Sequence, residues 1–466
     1  MGGREHGRVR PCLGMWRAQA IFCAILFVLI AVASPSGAKD ERRPGPRLNY
    51  IRDAEIEHDL RIMLSPIMQA AGLEPEAVRF ILVQDNVINA FVAGGMNVFV
   101  FTGLIQKTDT ADQLIGVLAH ELGHIAGGHL VRGTEAARNA SIEAIIGMVA
   151  GVAVGVLAGN SEAGIAAIGG AQELAQRNFF SFSRTQEGSA DAAALRFLDS
   201  AGWSAQGFLD FMKKLQGQEY LPNSRQTQYV ITHPLTPDRV DAVNEHVTHS
   251  EYSKHQLDPL YGNLHSRIKA KLLGFLQPHQ ALLRYSENDT DFIHRYARAI
   301  ALYRTNKLEP ALALTDKLIA AEPANPFLQE LRGQMLYEFG RTTEAITAYR
   351  LAVKGEPHSA LLRAALGQAL LQSRDVAAND EAVTNLLEAV RLEPATPSVW
   401  RGLATAWGRD GKSSALADYA LAEEALAAGD TALAHERAAR ALKKLPANSP
   451  YRVRAQDIQL VKNDAK

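Results

Sequence analysis

Apolar positions recur at helical spacing over residues 51–71, which predicts an amphipathic helix there. The period then changes. Residues 78–83 and Asn97–Phe101 are short runs rich in β-branched and aromatic side chains, and they predict two strands with Gly94-Gly95 as the turn between them. Residues 110–130 return to a long helical pattern, with Ile115, Val117, Leu118 and Leu122 among its apolar positions, and a second helix is predicted over 187–200. The stretch from about 50 to 250 therefore reads as one mixed α/β unit.

From about residue 290 the pattern becomes alanine-rich helices at a regular interval. Glu322-Pro323, Glu356-Pro357 and Glu393-Pro394 each close an amphipathic helix; the first two prolines are 34 residues apart and the next step is 37. Gly333 and Ala345 lie 24 and 12 residues before Pro357, and small residues recur at Ala311, Gly367, Ala382 and Ala434. A period of 34 with small packing positions and a terminal proline resembles tetratricopeptide repeats. The consensus Trp is missing, about three extra residues sit near 377–379, and the 52-residue step from Pro394 to Pro446 fits one repeat plus a spare helix. Such helix pairs stack into a solenoid whose concave face binds extended segments or partner proteins; an ordinary helical bundle is the alternative. Residues 255–290 form the joint, with a helix expected over 264–276.

A length of 466 residues allows two or three domains, and 47% hydrophobic with 21% charged residues is ordinary for a chain that buries a core. A formal net charge of −1 points away from a nucleic-acid partner. Cys12 and Cys23 are the two cysteines, so any metal site further along must be built from His and carboxylates. Arg4, Arg8, Arg10 and Arg17 precede an uncharged apolar run of 14 residues at 20–33, and Ser36-Gly37-Ala38 follows. That order predicts a secretory signal cleaved after Ala38, with an uncleaved anchor as the alternative, and the run is short of the roughly 20 residues that span a bilayer. Both cysteines would leave with it.

The chemistry centres on His120-Glu121-Leu122-Gly123-His124. Positions i and i+4 share a helix face, so both imidazoles can converge on one Zn2+, with Glu121 placed to take a proton from water activated by the metal. A third ligand six residues past the second histidine, after Gly127, would fall on Leu130, and His129 is off by one. A glutamate from a later helix is the other solution. In Glu187-Gly188-Ser189-Ala190-Asp191, Glu187 can ligate while Asp191, one turn on, hydrogen-bonds a ligand histidine; the pair also fits ordinary carboxylates at a helix start.

The combination of His120-Glu121-x-x-His124, Glu187-x-x-Ala190-Asp191 and a later Thr232-His233-Pro234 resembles the HtpX-like and Oma-like zinc metallopeptidases, in a form joined to C-terminal tetratricopeptide repeats. The resemblance implies that His120, His124 and Glu187 bind one zinc per chain and that Glu121 is general base and acid. It also implies an edge strand beside the cleft within 89–101, able to hold substrate by main-chain pairing. His233 would sit on a loop over the zinc and occupy its open position, holding the enzyme latent; donation to the tetrahedral oxyanion and a plain loop histidine are the other readings. Arg239 follows at the family's spacing without an assigned role, a structural salt bridge being one reading.

Residues 144–171 are apolar and glycine-broken, interrupted by Glu162. A helical hairpin near the active site, a lid, and an apolar tip touching a membrane or another subunit compete there.

The expected fold class is mainly α (α+β). A signal at 1–38 leads to a gluzincin-type metalloprotease domain with a small β-sheet at 39–254, then a helical linker at 255–290 and a tetratricopeptide solenoid at 291–466. The expected function is a secreted zinc endopeptidase, periplasmic by the resemblance, while the signal alone fits an extracellular location equally well. By the resemblance, it acts on unfolded or misassembled exported proteins and works with the outer-membrane β-barrel assembly machinery, with peripheral membrane contact and no nucleic acid. A chaperone-like repeat scaffold with a latent zinc site and an amidase acting on cell-wall peptides are the rivals.

Overall fold

The computed structural model describes residues 49–129, 184–217, 227–373, 375, 377–409 and 414–461. The expected signal at 1–38 and the apolar stretch at 144–171 lie outside the described residues.

Asp53 starts the first helix, α1 (Ala54–Ala70), by accepting the Ile56 N–H at 2.9 Å. Ile56, Leu60, Met63, Leu64, Ile67 and Met68 form its buried face. Four strands make the sheet: β1 (Asn49–Ile51), β2 (Arg79–Gln84), β3 (Ala90–Ala93) and β4 (Asn97–Phe101), in the order β1-β2-β4-β3. β2 and β4 are parallel, in register from Arg79 opposite Asn97 to Val83 opposite Phe101. Parallel neighbours cannot be joined by a tight turn. Gly94-Gly95 instead closes an antiparallel hairpin between β3 and β4, with Ala93 opposite Asn97. This corrects the two-strand reading of the turn: β3, only four residues long, forms the edge of the sheet.

Helices α2 (Thr102–Lys107), α3 (Ala111–Ala126), α4 (Arg184–Ser200), α5 (Gln206–Leu215), α6 (Gln228–Thr232) and α7 (Pro237–His249) complete the first half. α3 is buried almost all the way round, as expected for a central helix packed on several sides. Gly123 lets α4 approach it closely: a Cβ there would stand 2.7 Å from the Ala190 carbonyl oxygen.

The joint holds α8 (Pro259–Leu276) and α9 (Pro278–Arg284). α8 starts at Pro259 rather than near 264, because Asp258 caps it by accepting the Leu260 N–H at 2.8 Å. The solenoid follows as α10 (Phe292–Arg304), α11 (Leu308–Ala321), α12 (Pro326–Glu338), α13 (Thr342–Gly355), α14 (Ala360–Gln372), α15 (Ala377–Leu392), α16 (Pro397–Gly408), α17 (Ser414–Ala427), α18 (Thr431–Leu442) and α19 (Pro450–Leu460). The small positions do their packing work: Ala311, Ala345, Ala382 and Ala434 are fully buried. Three helices, α16 to α18, occupy the long step between Pro394 and Pro446. Among the described residues no helix is long and apolar enough to cross a membrane.

α8 joins the two halves through a buried ionic cluster. Lys271, 1% exposed, reaches Asp53 Oδ1 at 2.8 Å and Glu55 Oε2 at 3.0 Å, and Tyr296 of α10 donates its hydroxyl to Glu55. Arg267 pairs with Glu322 at 2.7 Å, and Arg52 binds Glu393 at 2.8 Å. Asp59 lies at the edge of this cluster, buried, its Oδ2 without a hydrogen-bond partner among the described residues. Burial, with the neighbouring Glu55 charge, pushes its carboxyl up to about 8, against the pull of Arg267 and Lys271. The folded state thus holds a proton that the unfolded chain, with a carboxyl near 3.9, releases. Stability from this group is full below about pH 4 and is lost as the pH rises through about 8. Asp59→Asn is expected to remove a slope of at most about 1.4 kcal/mol per pH unit from urea unfolding measured between pH 5 and 8. An unchanged slope would show that Asp59 does not set it.

Candidate metal centre

Three elements bring the expected site residues together. α3 points His120, Glu121 and His124 inward, α4 contributes Glu187 and Asp191 from one face, and the turn after α6 presents His233. All of these except Asp191, which is 5% exposed, have no exposed surface. Ligand atoms of His120, His124, Glu187 and His233 lie within 4.8 Å of one another.

The separations suit a zinc ion. Two donors about 2.05 Å from a tetrahedral metal stand about 3.3 Å apart. His120 Nε2 is 3.1 Å from His124 Nε2 and 3.5 Å from Glu187 Oε2, and His124 Nε2 is 3.4 Å from Glu187 Oε1. Two imidazoles and a carboxylate, with no thiolate, are a donor set that zinc accepts.

Behind these donors a second layer fixes their orientation. His120 Nδ1 lies 2.8 Å from Asp191 Oδ1; the ionised carboxylate can only accept, so Nδ1 donates and Nε2 keeps its lone pair for a metal. Arg239, in the first turn of α7, grips both carboxylates: Nε to Asp191 Oδ2 at 2.6 Å, Nη2 to Asp191 Oδ1 at 2.8 Å, and Nη1 to Glu187 Oε2 at 2.7 Å. Its Nη1 also donates to the Pro234 carbonyl at 2.8 Å, which ties the His233 turn to the same anchor. The residue left without a role by sequence is therefore the electrostatic centre of the carboxylate layer.

Charges here follow from burial set against partners. Burial opposes ionisation of Asp191, yet hydrogen bonds from Arg239 and His120 hold it below the ordinary carboxylate range. Glu187 is likewise held well below that range against burial, through its histidine neighbours. Glu121 behaves in the opposite way: burial is the largest influence and raises it. Neither of its oxygens has a hydrogen-bond partner among the described residues.

His233 wedges between two carboxylates, with Nδ1 3.2 Å from Glu187 Oε1 and Nε2 3.5 Å from Glu121 Oε1. Its ring stacks on Tyr229 at 4.6 Å between centroids. Its Nε2 lies 3.2 Å from the carbonyl oxygen of Ala90, at the start of the edge strand β3, and the Tyr229 N–H donates to the Ile88 carbonyl at 3.1 Å. The edge strand and the His233 turn thus meet at the same buried centre.

A helix bearing two imidazoles, a glutamate from a later helix and a helical repeat array are the features of a metallopeptidase joined to a repeat module. Residues 54–247 match the profile of peptidase family M48, and residues 296–360 and 332–379 match the tetratricopeptide repeat. The peptidase match is followed along the chain by the repeat matches, and the buried His120, His124, Glu187 and His233 cluster inside it is compatible with a zinc site. It is similar to the beta-barrel assembly-enhancing protease of Yersinia pestis, 27% identical over 343 residues, which are 71% of this chain and 68% of that protein. The protein of the same name from Escherichia coli (strain K12) is 26% identical over 59% of this chain and 56% of its own length. Metalloprotease LoiP of Escherichia coli (strain K12) is 26% identical over 40% of this chain and 69% of its own. The match thus spans between about half and two thirds of the length of these curated relatives.

Proposed function

We propose that this chain is a periplasmic zinc endopeptidase that degrades misfolded or stalled exported proteins during outer-membrane protein assembly, with its repeats recruiting substrate or the assembly machinery. The observation that carries the reading is the buried convergence of His120, His124 and Glu187 at zinc-ligand separations, beside a Glu121 carboxylate with no hydrogen-bond partner among the described residues. The names of the similar beta-barrel assembly-enhancing proteases support a protease role tied to β-barrel assembly. On this reading residues 1–38 are a removed signal, 39–254 the peptidase domain, 255–290 the joint and 291–466 the repeats.

Zinc bound by His120, His124 and Glu187 supplies a Lewis acid that activates water and polarises the scissile carbonyl. Glu121 takes the proton of the attacking water and returns it to the departing amine. Asp191 orients His120, Arg239 keeps Asp191 ionised and pairs with Glu187, and the histidine neighbours hold Glu187 ionised. The edge strand β3 offers main-chain groups to an extended substrate, a recognition mode that tolerates many sequences.

His233 acts as a latch in this scheme. Its ring lies between Glu121 and Glu187, and His233 as a fourth donor beside His120, His124 and Glu187 would leave a tetrahedral zinc no position for water. The same observation favours the second reading, a repeat scaffold with a latent centre. The test is degradation of an unfolded outer-membrane barrel protein by the chain from residue 39 onward, with zinc content measured in parallel. The peptidase reading expects cleavage, rising several-fold in His233→Ala. Zinc-loaded protein that cleaves in neither form would favour the scaffold.

A further inference from the structure

The helix that carries both imidazoles ends in a defined cap. Gly128 has φ +63°. Its N–H donates to the Ile125 carbonyl at 3.0 Å, while the His129 N–H donates to the His124 carbonyl at 3.1 Å. A left-handed glycine between a five-to-two and a six-to-one bond makes a Schellman cap. That geometry lays the residue third from the helix end beside the residue after the glycine, commonly as an apolar pair. In this chain the two are His124 and His129. Their Nδ1 atoms are 2.9 Å apart, and the rings meet edge to face, 5.0 Å between centroids at 70°. Gly127 keeps the space open, since a Cβ there would stand 2.7 Å from His129 Nε2.

We propose that His129 is the positioning residue for His124, accepting its Nδ1–H and so turning its Nε2 towards the metal. The inference rests on His120, His124 and Glu187 being the zinc ligands. An imidazole that gives its Nε2 lone pair to a metal carries its proton on Nδ1, and the atom facing that proton is His129 Nδ1. His129 must then be the neutral tautomer protonated on Nε2. The two ligand histidines are supported by different chemistry: an Arg239-bound carboxylate holds His120, and a neutral acceptor built into a helix cap holds His124.

Zinc affinity of the full chain, measured by competition with a chromogenic chelator, tests this through two substitutions. His129→Phe keeps a ring but removes the acceptor, whereas His129→Asn sets its Oδ1 where Nδ1 stood. The expectation is a loss of about 10–100-fold in zinc affinity for the phenylalanine variant and recovery to within about threefold of wild type for asparagine. Thermal unfolding of the zinc-free proteins should not separate the three, because the cap's backbone bonds remain. Wild-type affinity in His129→Phe, or asparagine binding as weakly as phenylalanine, would overturn the proposal. His124→Ala separates the two levels. If it leaves zinc affinity unchanged, the ligand assignment itself falls; if it abolishes binding while His129→Phe does not, only the role of His129 falls.

Discussion

Glu121→Gln is expected to slow peptide-bond hydrolysis by about 10²–10⁴-fold, the range a positioned general base contributes, while zinc stays bound. Glutamine keeps the shape of the side chain and removes its ability to take a proton. The site is suited to that task. Glu121 has no exposed surface, burial raises its pKa, and His233 Nε2 lies 3.5 Å from its Oε1. A base lifted from the ordinary carboxylate range holds an abstracted proton long enough to pass it to an amine. Because the wild-type carboxylate is buried without a hydrogen-bond donor among the described residues, neutralising it should not destabilise the fold. Initial rates on an unfolded barrel substrate, metal content and the unfolding midpoint together check this. Wild-type hydrolysis by zinc-loaded Glu121→Gln would remove Glu121 from the chemistry.

Arg239→Met should do comparable damage from outside the ligand set. Arg239, 8% exposed, pairs with two buried carboxylates, and methionine would leave Asp191 only His120 and Glu187 only its histidine neighbours. Stranding buried charge in this way costs about 3–5 kcal/mol. The carboxylates would relieve part of the cost by binding protons, and a protonated Glu187 is a poor zinc ligand. Zinc should therefore dissociate faster and urea unfolding shift to lower concentration. Arg239→Lys should recover little, since one ammonium cannot reproduce the fork that binds both oxygens of Asp191 and one of Glu187. If the methionine variant keeps wild-type zinc affinity and stability, Arg239 is peripheral to the centre.

How much of this was legible depends on the range over which each feature is decided. The His120–His124 spacing and the Glu187–Asp191 spacing are set by one turn of one helix, so they can be read from neighbouring letters. The solenoid is legible for a similar reason: each repeat packs on the next, and the period of 34 records that local packing. The residue pattern alone gave no strand at Ala90-Phe91-Val92-Ala93, which is too short and too alanine-rich to show one, and only the family resemblance placed an edge strand within 89–101. That segment becomes a strand by pairing with β4. The helical pattern expected to run to 130 stops at Ala126, where the glycine cap overrides apolar periodicity. His129 drew notice only as a ligand one residue out of place, although His124, Gly128 and His129 already had the spacing of a Schellman pair.

By itself the sequence determined the local chemistry: which helix could present two imidazoles and a glutamate on suitable faces, and where small residues would let repeats stack. Tertiary structure alone decided convergence. His233 and Arg239 lie more than 100 residues after His120, and no local spacing states that the turn after α6 folds back onto α3 and α4. The same holds for Lys271, a charge on a linker helix in sequence and a buried tie between the two halves in space. Burial and opposite charge act through distance in three dimensions. A chain can be read for its faces from one dimension, but the groups those faces meet are chosen when the core closes.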